Sequence, residues 1–74
     1  MGYSPTTEAL LHAIKNDVRA RVDEIVVSAE RLAMSRKNEA EVDRILQHAL
    51  LRVEKALAEA AQAMAREIHR ERLC

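Results

Sequence analysis

The chain has 74 residues, with twelve Lys+Arg against twelve Asp+Glu and a formal net charge of zero. Glycine, proline and cysteine each occur once, Phe and Trp are absent, and Tyr3 is the sole aromatic residue. One small domain is the most such a chain supports. A β-sandwich or barrel would need turn residues throughout, and a disulfide framework would need more than Cys74. Zero net charge argues against a DNA- or RNA-polymer partner, which calls for a basic surface. No uncharged apolar run is long enough for a membrane span, and no basic-then-apolar leader opens the chain. The expectation is therefore a cytoplasmic protein, in the host cytoplasm if the source is viral.

Taken in chain order, Ser4 can cap a helix, Pro5 suits its first position, and Glu8 complements the positive helix end. Ala, Leu, Glu and Arg then dominate to the C-terminus, and all are strong helix formers. The next stop signal is Ser35-Arg36-Lys37-Asn38-Glu39-Ala40-Glu41. Asn38 is a good N-cap, and Glu41 completes a box-like arrangement with it. Arg31, Arg36 and Lys37 suit the negative end of the preceding helix. The pattern predicts an all-α, two-helix antiparallel hairpin, about 5–34 and 39–72, within a single domain of 1–74. Because no glycine marks the break, a single rod of about 100 Å is the alternative.

Leu11, Ile14, Val18, Val22, Ile25, Ala29 and Leu32 fall in one stripe about 80° wide on the first helix. The second helix carries a wider face, about 140°, made of two lanes. Leu46, Leu50, Val53, Leu57, Met64 and Ile68 form a bulky lane with nearly heptad spacing. Ala49, Ala56, Ala60 and Ala63 form a small-residue lane that permits close helix approach. One partner helix covers one lane, and this chain has no third helix for the other. The expected result is self-association into a helical-bundle homo-oligomer, with Leu46, Leu50, Val53, Leu57, Ala60, Met64 and Ile68 at the interface. Val27 and Leu51 point away from these stripes and are either ordinary exposed aliphatics or part of a partner surface. Arg36 extends the first helix's stripe as a snorkelling end residue.

Little in the chain points to catalysis. His12, His48 and His69 are too far apart in sequence to clamp a metal on one helix face, so neither metal nor cofactor is expected. Cys74 has no neighbouring histidine, and its expected chemistry is incidental oxidation to a dimer. No glycine-rich phosphate loop is present. Glu67 with Arg70 and Glu71 reads as a set of surface pairs. Tyr3, on a short arm before the first helix, is a hydrophobic staple, an exposed tail, or a ring placed to stack on a base.

Two resemblances add to this reading. Tyr3-Ser4-Pro5, then Ile14 with Arg19-Ala20, then Ala49-Leu50-Leu51-Arg52-Val53-Glu54-Lys55-Ala56 followed by Ala60 and Ala63, resemble the phage anti-CBASS sponge family. That family consists of small helical hairpins that assemble into rings and sequester cyclic nucleotide signals. Leu51 stands where the family has Thr, Glu59 where it has Trp and Arg19 where it has Lys, and the middle is longer by about three helical turns. The resemblance implies that Tyr3 stacks on a base and Arg19 contacts phosphate in a pocket between subunits. Arginine's planar fork suits that task. Val18-Arg19-Ala20-Arg21-Val22-Asp23-Glu24-Ile25 is similar to the first helix of the all-helical chorismate mutases, where an arginine grips a carboxylate. Such an enzyme needs cationic groups from three helices. The expected function is a non-enzymatic oligomeric binding protein. Its specific form is a viral anti-defence sponge for a cyclic nucleotide. The alternative is an adaptor or inhibitor that receives a host or partner protein on the wide face of the second helix.

Overall fold

The computed structural model describes residues 3–73. Cys74 lies outside them, and with it the expectation about its oxidation. The chain forms α1 (Pro5–Met34) and α2 (Glu39–Leu73), packed side by side as a hairpin. Its principal dimensions are 55 × 15 × 15 Å. A continuous rod would be nearly twice as long.

Local chemistry explains both helix boundaries. Ser4 sits in extended backbone as the N-cap of α1, and its hydroxyl accepts the Thr7 N–H at 3.3 Å and donates to Thr7 Oγ1 at 3.1 Å. Pro5 follows at the first helical position. A Ser4→Ala variant is expected to lose about 1 kcal/mol of stability, read as a lower thermal midpoint. At the far end α1 stops without glycine. Ser35 keeps right-handed helical backbone, its N–H reaches the Arg31 and Leu32 carbonyls, and its hydroxyl donates to the Leu32 carbonyl at 2.7 Å. The Arg36 N–H then bonds to the Ala33 carbonyl at 3.1 Å. These tighter bonds close the last turn, so no left-handed residue is required.

Asn38 starts α2 by accepting the Ala40 N–H on its side chain at 2.8 Å, while its carbonyl accepts the Val42 N–H at 3.1 Å. Only half of the expected capping box is present. Among the described residues Glu41 makes no return bond to Asn38, and it lines a groove with Leu32, Arg36, Arg44 and Ile45.

The seam between the helices is built from the α1 stripe and the alanine lane of α2. Ile25, Ala29, Ala56 and Ala60 are buried, and Leu11, Ile14, Val18, Val22, Val42, Ile45, Ala49 and Ala63 are half-buried beside them. Small residues on α2 let the α1 backbone come close, and β-branched Ile and Val fill the space they leave. Leu32 departs from expectation: it is exposed, and Ala33 takes the inward position. Successive inward steps of three and four residues rotate the stripe relative to an ideal helix, so the last turn presents a different residue. Thr7 is also buried, its hydroxyl satisfied by Ser4. No side chain among the described residues is fully enclosed. The hairpin has a seam rather than a core.

Candidate functional site: an apolar face beside the helical seam

With the alanine lane spent on α1, the bulky lane of α2 faces outward. Leu46 is 48%, Leu50 56% and Leu57 51% exposed. Val53, Met64 and Ile68 are half-buried along the same line. Ala60, which the sequence reading grouped with these interface residues, is enclosed within the chain's own seam. On α1 the matching flank carries Val26 and Met34, both exposed. Val26, Ala29, Ala33, Met34, Leu46, Ala49, Leu50 and Val53, with Glu30 at the rim, line an open groove of about 530 Å³ near the turn. Its surface is almost wholly carbon. Isolated exposed aliphatics are ordinary, whereas a contiguous row along a helix makes this face a candidate interaction surface.

The opposite face of the hairpin is polar. Arg21, Glu24, Ser28, Arg52, Lys55 and Glu59 line a groove of about 480 Å³ over Ile25 and Ala56. Arg21 pairs with Asp17 on its own helix and with Glu59 on α2, both at 3.5 Å. These groups are more than half exposed, so the pairs set the hairpin's register more than its stability. Val27 and Leu51 are exposed, as expected from their positions off the stripes.

The hairpin's open end is tied by a contact between its two ends. The Ser4 backbone N–H donates to Glu71 Oε1 of α2, while Glu71 Oε2 is buried without a hydrogen-bond partner among the described residues. A carboxylate beside the first turn of α1 also complements the positive helix end. Glu67 pairs with Arg70 at 3.3 Å, as its spacing predicts. His69 is exposed and shares a shallow surface with Arg66 and Arg70. Among the described residues no cluster of three metal-binding side chains exists, and no helix is long and apolar enough to cross a membrane.

Tyr3 is 41% exposed, adjoining the Ser4–Glu71 contact. The position a staple partner would take, four residues into α1, is Glu8, so no hydrophobic staple forms there. Arg19 is exposed mid-helix. Helical rise separates it from Ser4 by about 22 Å, so one hairpin does not bring Tyr3 and Arg19 together. Sequence reasoning missed Glu71 as a tie, the Arg21–Glu59 pair, and Val26 with Met34 as the α1 side of the groove. Only the last had a usable signal, the apolar side chains at Val26 and Met34 on the flank of the α1 stripe.

Compared with known proteins, the chain matches no family model, no curated protein and no solved structure.

Proposed function

We propose that this chain is a non-enzymatic binding protein that works as a homo-oligomer of helical hairpins. The observation that carries this reading is the open row Leu46, Leu50 and Leu57, each about half exposed beside Val26 and Met34. A seam with only four buried apolar residues among the described ones, none fully enclosed, is a weak foundation for a chain of this length. Covering the exposed half of each leucine contributes roughly 0.8–1.5 kcal/mol, half the value for full burial, which makes association the natural source of the missing stability.

The ligand we assign to the assembly is an anionic cyclic nucleotide, in keeping with the resemblance to anti-defence sponges. Tyr3 supplies a base-stacking ring and Arg19 a phosphate fork, contributed by different copies because one copy holds them far apart. Isothermal titration with cyclic dinucleotides and trinucleotides is expected to give saturable heat, and Tyr3→Ala or Arg19→Ala to weaken it by tenfold or more. No heat with any such ligand, at protein concentrations where the oligomer is formed, overturns the nucleotide assignment.

The second reading is an adaptor or inhibitor whose apolar groove receives a helix of a host protein. The groove's size and carbon-rich lining favour it. In that case a target binds the wild-type chain in competition with self-association, and charged residues at Val53 or Leu57 abolish both.

A further inference from the structure

We infer that the occupant of the apolar face is the same face of a second copy, related by a two-fold axis that crosses α2 at Leu57. This inference rests on the oligomer reading above and adds its geometry. The bulky lane is nearly symmetric about that residue. Leu50 and Met64 lie seven positions on either side of Leu57, and Leu46 and Ile68 lie eleven. An antiparallel α2–α2 pairing therefore sets Leu46 against Ile68 of the partner subunit and Leu50 against Met64 of the partner subunit. Leu57 meets Leu57 of the partner subunit. Val53 meets Ala61 of the partner subunit, a large residue against a small one. Such self-complementarity is what an isologous contact requires.

Independent support comes from α1. The Arg21–Glu59 ion pair and the groove that Arg21 and Ile25 share with Ala56 and Glu59 set the register, so Leu57 stands near the level of Val22 and Asp23. The same axis then pairs the α1 flanks in antiparallel order. Lys15, Arg19, Val26 and Glu30 share that flank by helical spacing. Lys15 falls opposite Glu30 of the partner subunit, and symmetry repeats the contact. Among the described residues neither side chain forms an ion pair within the chain. The alternative packing, with the axis parallel to the helices, would lay Met64 and Ile68 across the region around Lys15 of the partner subunit and leave Lys15 unmatched. Apolar and charge patterns thus both select the antiparallel arrangement, a four-helix bundle made of two hairpins. It sets Arg19 beside Val26 of the partner subunit and away from either Tyr3, so a pocket using Tyr3 and Arg19 forms only where such dimers meet.

The test is disulfide trapping in a Cys74→Ser background. Leu57→Cys is expected to form a covalent dimer under mild oxidation, because residues on the axis come within disulfide reach of their own copies. Leu51→Cys, more exposed than Leu57 but away from the axis, stays monomeric on a denaturing gel. Leu46→Cys and Ile68→Cys link only when the two variants are mixed. As a second readout, Lys15→Glu weakens association about tenfold, and adding Glu30→Lys restores it. Solution mass is measured in parallel. An oligomer without the Leu57→Cys link contradicts the two-fold while leaving self-association intact, and a monomer removes both.

Discussion

Leu57→Glu is expected to reduce the protein to monomers at concentrations where the wild-type chain is fully assembled. Leu57 is half exposed in the isolated hairpin, so glutamate there is solvated and leaves the intrachain seam untouched. In the assembly the same change removes two leucines and sets two carboxylates together. Full burial of a leucine is worth roughly 1.5–3 kcal/mol and about half of Leu57 is already covered, so losing two such contacts raises the dissociation constant by at least ~10-fold. Sedimentation equilibrium reads that shift directly. Because association stabilises the folded state by mass action, the variant's thermal midpoint also falls and loses its concentration dependence. An unchanged mass for Leu57→Glu would mean that the leucine row is not the interface.

A comparably large effect is expected inside the chain at Ile25→Ala. Ile25 is a large aliphatic, buried in the seam with Ala29, Ala56 and Ala60 and facing the alanines that bring α2 close. Its loss opens a space that Ala56 and Ala60 cannot fill, at a cost of about 2–4 kcal/mol. For a domain of this size that corresponds to roughly 10–25 °C in thermal midpoint. Val27→Ala is the matched control. Val27 is 48% exposed, and its truncation is expected to change stability by no more than ~0.5 kcal/mol. A small loss at Ile25 together with a large loss at Val27 would place the seam on the wrong face of α1.

Much of the fold was legible because helices announce themselves locally. Ser4-Pro5 marks the start of α1, Asn38 the start of α2, and spacings of three and four residues mark the buried stripe. The two lanes of α2 were also readable. Which lane α1 would choose was not stated by periodicity alone, and close approach over Ala56 and Ala60 decided it. The turn was harder. Without glycine the break at Ser35 carries no strong signal, and it works through a serine hydroxyl and tightened backbone bonds that composition does not reveal.

The site was less legible than the fold for a physical reason. Contacts such as Ser4 with Glu71 and Arg21 with Glu59 join residues far apart in sequence, and only the antiparallel register creates them. Nothing in the spacing of α1 names their α2 partners. Tyr3 and Arg19 stand out as residue types, yet both are exposed and one hairpin holds them far apart.

Light scattering across a wide concentration range tests the central claim most directly. The account predicts a mass that is a multiple of 8.4 kDa, at least twofold, falling toward one copy only on dilution or in Leu57→Glu. A chain that stays folded, helical and monomeric at millimolar concentration would contradict it.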